Sequence, residues 1–401
     1  MKQALAIVTF TIILLGLGCR ESRVIQTLNS PTVSPSGQET AESPKATPLF
    51  SKEVASRLNW LLRDEVNDEE LPGVALYVST SNGTWMGAAG KANQEANLPL
   101  KPTDRFRIGN LTTMFVAVAC LQLVEEGLLD LDQPITSYLP QDISDRLASS
   151  DRITVRRLLN HTSGLADVYT DEFLAAVQAE PERQWTAEEV LEYAYDLEPA
   201  TVRGAFSYAN TNYLLLQLVI ETVTEQPLAK VIRDRILNPI GLGNTFMEVR
   251  EPIPEGFIQG YQDWNQDDSL ENVTQPLINS GLGLGDKGLV SNAPDLVQFF
   301  QALFIDNELL YRSTLDEMLD PTPAGKGDGF GLGIAHLVTR WGEGWGQIGK
   351  TTGFQAVILY FPVHDLTLVV WANQGDRKHA EVLDIAEDSL NVILGEANYR
   401  Y

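Results

Sequence analysis

Hydroxyl, amide, lysine and carboxylate side chains are the groups available for chemistry in this sequence of 401 residues. The chain has only two cysteines, Cys19 and Cys120, and its four histidines are widely separated. Neither a disulfide framework nor a zinc site is therefore expected. The segment 283–288 fits the glycine pattern of dinucleotide sites, but no buried strand precedes it, so we predict a loop there. We expect no metal and no cofactor.

The elements that must hold any site come from both ends of the chain. Ser51 can cap a first helix that ends before Pro72, and Asn82-Gly83 indicates a hairpin. The predicted strands are 74–80, 84–89, 331–339, 355–361 and 366–371, and a helix over 380–394 closes the chain. These strands can form one antiparallel sheet, which gives an α+β fold with helices at the two termini of the domain.

The stretch between these strands is mostly helical, and it is predicted to form a second lobe of roughly residues 111–305. The predicted helices are 111–126, 186–197, 213–224 and 294–304. A cleft between two lobes is the default place for a site.

Four long runs carry a resemblance to a known family, and they occur at 106–109 (FRIG), 127–134 (GLLDLDQP), 153–165 (ITVRRLLNHTSGL) and 206–213 (FSYANTNY). In this order they resemble the serine β-lactamase and penicillin-binding protein-like superfamily. The similarity is closest to class C β-lactamases, D-alanyl-D-alanine carboxypeptidases and related esterases. It covers roughly residues 49–394, and the predicted domain is 50–401. The resemblance implies a β-lactamase/transpeptidase-like fold and acyl transfer to a serine.

The first family motif, Ser-x-x-Lys, opens a buried helix and places a lysine beside the nucleophilic serine. Here Asn110 stands at the serine position and Thr113 at the lysine position. An amide is not a usable nucleophile, and Thr113 provides neither a cation nor a base. Asn110 is instead predicted to be the N-cap of the helix that follows, in which Cys120 is a core residue.

The second motif, Tyr-x-Asn, is preserved as Tyr208 and Asn210. In such enzymes the phenol takes up and returns the proton, and the asparagine orients the substrate or the lysine. Without a lysine at Thr113, we expect the pKa of Tyr208 to stay near its unperturbed value of ~10, which makes it a weak base at neutral pH. A purely structural role for Tyr208 is an equal alternative, and His161 is predicted to be structural.

The third motif, His/Lys-x-Gly on a strand that lines the pocket, corresponds to Gln347 and Gly349. Lys350 opens a segment that looks like Lys-Thr-Gly, but this segment lies three positions late and has one residue too many. Lys350 could still bring positive charge to the cleft. By family geometry, the backbone N–H groups of Asn110 and Lys350 would form an oxyanion hole, which needs no particular side chain.

These replacements predict a catalytically silenced relative, a binding or regulatory module of the cell envelope. Its expected ligand is a peptidoglycan-type peptide or a small acyl compound, and a protein partner is a further alternative. The residues expected to bind that ligand are Asn110, Tyr208, Asn210, Gln347, Gly349 and Lys350. The alternative is an active esterase, carboxypeptidase or β-lactamase-like enzyme that uses Thr112, Ser163 or Ser207 as nucleophile. A third hypothesis is a scaffold whose acidic face binds a basic partner.

The amino terminus and the net charge indicate where the protein works. Residues 1–19 resemble a lipoprotein signal peptide that ends at Cys19, the predicted lipidation site, although an ordinary signal peptide is the alternative. Residues 20–49 are rich in Ser, Thr and Pro and predict a disordered linker. We therefore expect an exported protein of the bacterial cell envelope or periplasm, with the lipid as its membrane anchor. The net charge of −25 argues against nucleic acid as a partner.

Overall fold

The computed structural model describes residues 50–67, 71–147, 149–274, 283–325, 327–375 and 382–395. The predicted signal peptide at 1–19, with Cys19, and the predicted linker at 20–49 lie outside these ranges. No helix within the described ranges is long and apolar enough to cross a bilayer. The same ranges contain no group of His, Cys, Asp and Glu side chains that could hold a metal ion.

Eleven α-helices are formed in the described part of the chain. They are α1 (Lys52–Asn67), α2 (Thr112–Glu125), α3 (Gln141–Ser144), α4 (Val155–Leu159), α5 (Asp171–Ala179), α6 (Ala187–Leu191), α7 (Thr211–Thr224), α8 (Leu228–Ile232), α9 (Ala293–Phe304), α10 (Arg312–Met318) and α11 (Val382–Leu394). Some of their starts follow capping rules: the N–H of Val54 donates to the Ser51 hydroxyl at 3.2 Å, and Thr186 and Glu189 form a capping box at α6.

Nine of the fourteen described strands build one antiparallel sheet. The strands are β1 (Gly73–Thr80), β2 (Gly83–Asn93), β3 (Leu98–Pro99), β4 (Phe106–Arg107), β5 (Phe246–Met247), β6 (Tyr261–Gln262), β7 (Glu271–Asn272), β8 (Leu289–Ser291), β9 (Thr322–Gly325), β10 (Asp328–Phe330), β11 (Ala335–Thr339), β12 (Gly342–Thr351), β13 (Phe354–Phe361) and β14 (Leu366–Ala372). The sheet order is β3-β2-β1-β14-β13-β12-β11-β10-β9, so strands from both ends of the domain meet in its centre, where Val74 pairs with Ala372.

The large sheet is covered on both faces, and the alternation of its side chains shows how. On β1, Val74 and Leu76 pack in the same cluster as Leu58 of α1 and Ile385 of α11. Ala75, between them, points to the opposite face and joins the larger core that includes α2, α7 and α9. The α+β class with terminal helices on the sheet is thereby confirmed. Cys120 of α2 is fully buried in this larger core, as expected.

Two predicted elements differ from the structure. The apolar run at 331–339 becomes a strand only from Ala335, because the N–H of Gly331 donates to the Ile334 carbonyl and closes a tight turn. The helix predicted over 186–197 ends at Leu191, since the next N–H groups, of Tyr193 and Ala194, bond three residues back and tighten the chain into turns.

Candidate active site

The candidate site forms where the beginning of α2 meets strand β12. A short 3-10 turn, Gly109–Leu111, precedes α2 and packs against residues 349 and 350 of β12. This close approach requires glycine at position 349, because a Cβ atom there would lie 2.0 Å from the carbonyl oxygen of Ile108. Position 110 is thus held directly beside the strand that carries Gln347.

Asn110 does not cap the helix, which corrects the expectation from the sequence. Helix α2 begins at Thr112, and its N-terminus has no side-chain cap. The Asn110 side chain, only 5% exposed, instead donates from Nδ2 to Oδ1 of Asn210 at 2.7 Å. Its Oδ1 accepts from the backbone N–H of Lys350 at 3.4 Å. A partner 100 residues away and a strand backbone therefore fix this amide.

Thr113 lies between the two other residues of the predicted site, Asn110 and Gln347, and hydrogen-bonds to both. The Thr113 hydroxyl donates to the backbone carbonyl of Asn110 at 2.7 Å and accepts from Nε2 of Gln347 at 3.2 Å. The Gln347 Oε1 accepts from the backbone N–H of Ile348 at 3.0 Å. All three side chains are buried, and none carries a charge. The three positions that the sequence predicts to correspond to nucleophile, cation and pocket donor form one neutral hydrogen-bonded set.

Tyr208 lies beside this set, but its phenol is made less acidic rather than left near its ordinary value. The ring stacks on His161 with centroids 4.0 Å apart, and the hydroxyl oxygen is shielded from solvent. Burial raises the pKa of Tyr208, the charges of Asp167 and Asp286 raise it further, and the Asn110 side chain opposes the rise only in part. The expectation of a pKa near the ordinary value is therefore wrong: the pKa of Tyr208 is raised, so even less of the phenolate, the form that could take up a proton, is present at neutral pH.

A group of ionisable residues behind Asn210 was not found from the sequence. Asn210 donates from Nδ2 to Oδ2 of Asp167 at 2.8 Å, and the Tyr169 hydroxyl donates to Oδ2 of Asp286 at 2.8 Å. The Lys287 ammonium lies 3.4 Å from the centroid of the Tyr169 ring. Burial raises the pKa of Asp286 to about 6 and also raises the pKa of Asp167, while the Lys287 charge opposes both shifts.

The sequence did contain a signal for part of this group. Asp286 and Lys287 lie in the glycine pattern at 283–288, which is a loop as predicted. A buried Asp-Lys pair inside a loop is unusual, because both residue types are rarely buried unless paired. Their placement against Tyr169 nevertheless depends on residues more than 100 positions apart.

The oxyanion-hole donors are only partly available. The N–H of Lys350 already points to the Asn110 side chain. Of the six residues predicted to bind a ligand, Tyr208 and Lys350 are half-buried, whereas the other four are buried. A ligand can therefore reach parts of Tyr208 and Lys350, but not the shielded Tyr208 hydroxyl. The side chains of Asn110 and Gln347 are hydrogen-bonded to Asn210 and Thr113.

The alternative nucleophiles are engaged elsewhere or lack a base. The Thr112 hydroxyl donates to the Gly109 carbonyl at 2.7 Å and accepts from the N–H of Leu289 at 3.1 Å. The Ser163 hydroxyl donates to Oδ1 of Asn212 at 2.7 Å. Ser207 is half-buried, and the described residues offer no hydrogen bond from its hydroxyl to a base.

His161 is structural in its hydrogen bonding. Its Nδ1 accepts from the N–H of Ala209 at 3.2 Å and lies 3.0 Å from Nδ2 of Asn212. Burial lowers the pKa of His161 to about 3, so the imidazole is neutral at physiological pH. It supports the ring of Tyr208 and holds the start of α7 in place.

The fold and the residue arrangement define the class of the protein. The family model described as Beta-lactamase matches residues 58–391, and the chain belongs to this family. Penicillin-binding proteins, a β-lactamase and an esterase are among its relatives.

Individual relatives share about a quarter of their residues with this chain. Penicillin-binding protein 4* of Bacillus subtilis (strain 168) is 26% identical over 342 residues, which cover 79% of this chain and 72% of that protein. Esterase EstB of Burkholderia gladioli is 29% identical over 231 residues, which cover 55% of this chain and 58% of that protein. The chain therefore aligns with less than two thirds of that esterase.

A solved structure extends the similarity to the whole fold. The crystal structure of D-amino acid amidase from Ochrobactrum anthropi SV3 in complex with D-phenylalanine superposes with a TM-score of 0.74 at 27% identity. The superposition covers 85% of this chain and 99% of the amidase chain.

Proposed function

We propose that this protein is a catalytically silenced member of the family that serves as a binding or regulatory module of the cell envelope. The observation that carries the proposal is the closed hydrogen-bonded set of Asn110, Thr113 and Gln347. Each side chain in the set is neutral, buried and bonded to a described neighbour. Acyl transfer to an enzyme needs a hydroxyl activated by a base or a cation, and this set contains neither.

The neighbouring groups do not replace the missing base. Tyr208 has a raised pKa and is protonated at neutral pH. Asp167 accepts from Asn210 and from the N–H of Tyr169, so both of its oxygens are engaged. The ligand that fits this proposal is a peptidoglycan-type peptide or a small acyl compound. It would contact Tyr208, Lys350 and nearby backbone groups without being cleaved.

The proposed location is the bacterial cell envelope, with export directed by residues 1–19 and lipid attached at Cys19. A Cys19→Ala variant of the full-length chain is expected to lose its membrane association, as followed by fractionation. Unchanged membrane association of this variant, in a strain that processes lipoproteins, would contradict the lipid anchor but leave the silenced site untouched.

Restoration of the motif tests the silenced site directly. The triple variant Asn110→Ser/Thr113→Lys/Gln347→His returns the nucleophile, the cation and the pocket donor. We expect its hydrolysis of a chromogenic cephalosporin or a p-nitrophenyl ester to exceed that of the wild type at least tenfold. The matched control is Thr113→Lys/Gln347→His, which keeps Asn110 and should remain inactive because it lacks the nucleophile.

Two results would count against the proposal. One is turnover by the wild-type protein that disappears in a Thr112→Ala, Ser163→Ala or Ser207→Ala variant. The other is a triple variant that is as stable as the wild type, judged by cooperative unfolding, yet stays inactive towards both classes of substrate.

A further inference from the structure

A pocket of about 570 Å³ opens in the helical part of the chain, between the loop at 163–166 and the segment 194–203. None of the residues 110, 113, 208, 210 and 347 lines it. Its volume lies within the range of ligand sites in proteins. The pocket is therefore a separate place where a small molecule could bind.

Backbone hydrogen bonds hold the two walls of this pocket together. The N–H of Ala200 donates to the Gly164 carbonyl at 3.0 Å, and the N–H of Gly204 donates to the Thr162 carbonyl at 2.9 Å. Gly164 is needed at this contact, because it has φ of +84° and a Cβ atom there would lie 2.9 Å from the Thr201 carbonyl oxygen. The backbone conformation thus fixes the distance between the two walls of the pocket.

The lining is apolar apart from a few hydroxyls and one guanidinium. Leu165, Leu197, Pro199 and Val202 supply aliphatic surface, and Leu197 and Val202 are 39% and 77% exposed. Arg203 is the one charged residue among the described residues that line the pocket. Its guanidinium forms no ion pair with a carboxylate of the described residues.

Arg203, with no ion pair among the described residues, places a positive charge beside exposed aliphatic side chains in a chain of net charge −25. The Arg203 cation attracts an anion. A hydrocarbon that covers the aliphatic walls removes apolar surface from water, which lowers the free energy. We propose that this pocket binds a small anionic amphiphile, a molecule with an aliphatic body and a carboxylate head that pairs with Arg203. This inference is independent of the chemistry at position 110.

The test uses three probes with the same eight-carbon chain and different heads: octanoate, octan-1-ol and octylammonium. Calorimetric titration of the full-length protein is expected to show saturable binding in the order octanoate, octanol, octylammonium. A negatively charged protein that bound these probes non-specifically would give the opposite order for the two ions. The order of affinities therefore distinguishes a built site from general adsorption.

Two variants and one control distinguish the contribution of the probe's charged head from that of its hydrocarbon body. Arg203→Gln should weaken octanoate binding about fivefold and leave octanol unchanged, as removal of a partly exposed ion pair does. Ala194→Phe, which places a ring in the pocket, should weaken both probes. Arg63→Gln, the same change on the exposed face of α1, should alter neither. Cooperative unfolding of each variant confirms that the fold is kept.

Three results would overturn the inference. They are equal affinities of octanoate and octanol for the wild type, an Arg203→Gln variant that behaves like Arg63→Gln, and binding that does not saturate. If Ala194→Phe fails to fold, Ala166→Leu narrows the same pocket with a smaller change, and unaltered octanol binding by that folded variant would also count against the site.

Discussion

Two buried polar regions flank the turn at residues 109–111, and they differ in charge. On one side, Arg107 of β4 donates to both carboxylate oxygens of Glu248 and to the Thr352 carbonyl, with side-chain exposures of 0% and 6% for the two ions. On the other side, Asn110, Thr113 and Gln347 form the neutral set. Arg107 of the charged pair and Asn110 of the neutral set are three positions apart in the chain.

The difference shows what each region can contribute. A buried ion pair holds β4, the end of β12 and the segment after β5 in one arrangement, and loss of either partner leaves an uncompensated charge. Removal of one hydrogen bond from the neutral set costs less stability than removal of one ion from the charged pair. The neutral set also has no group that can activate a nucleophile. The charged pair thus belongs to the scaffold, and the neutral set contains no charge.

The largest effect is expected when the charged pair is broken. Arg107→Met should lower the free energy of unfolding by about 3–5 kcal/mol, because Glu248 is left buried without its cation. Denaturant unfolding measures the change. Arg107→Met/Glu248→Leu should recover most of the loss, and Arg312→Met, in an exposed pair with 69% and 59% side-chain exposure, should cost less than about 1 kcal/mol. A double variant as unstable as Arg107→Met would contradict this role of the pair.

A smaller and pH-dependent effect is expected at Asp286, which is a buried carboxyl like Glu248 of the charged pair. Its pKa is raised by burial from 3.8 to about 6, so between these values the folded state binds more protons than the unfolded state. The stability that this carboxyl contributes therefore falls as pH rises through this window, by roughly 2–3 kcal/mol at ~1.36 kcal/mol per pKa unit.

The variant Asp286→Asn removes that contribution, and groups that do not contact Asp286 titrate alike in both proteins. Urea unfolding at pH 4, 5 and 7 should show the wild type losing stability relative to Asp286→Asn as pH rises. A difference that stays constant, or that moves in the wild type's favour with rising pH, would mean that Asp286 is ionised in the fold without cost.

The smallest effect is expected within the neutral set itself. Thr113→Val keeps the volume but removes the hydroxyl that donates to Asn110 and accepts from Gln347. The cost should be about 1–2 kcal/mol in thermal or urea unfolding, as for an ordinary buried hydrogen bond. Thr80→Val, at a half-buried hairpin position whose hydroxyl forms an exposed hydrogen bond, is the control and should change stability by less than about 0.5 kcal/mol. Equal costs at the two positions would show that the set is not held by these bonds.

Local signals predicted the scaffold well. The Ser51 cap and the Asn82-Gly83 hairpin both rest on residues within a few positions of each other, and each is present in the structure. The apolar strands at both ends of the domain indicated a shared sheet, because an antiparallel sheet can join hairpins that are distant in the chain.

The site was harder to predict because its interactions are long-range. Asn110 has the residue type of an N-cap, yet Asn210 and the backbone of Lys350 bind its side chain and α2 starts without a cap. The pKa of Tyr208 rises through burial and through Asp167 and Asp286, which come from separate loops. Local propensity contains no information about such partners.

Covalent labelling tests the central claim most directly. The purified full-length protein is incubated with a penicillin and, separately, with a fluorophosphonate, and its intact mass is then measured. Both reagents leave a stable mark on an activated hydroxyl. The account predicts an unchanged mass for the wild type and an adduct at position 110 for the variant Asn110→Ser/Thr113→Lys/Gln347→His. An adduct on the wild-type protein, located by peptide mapping to a serine or threonine, would contradict the claim that the site is silenced.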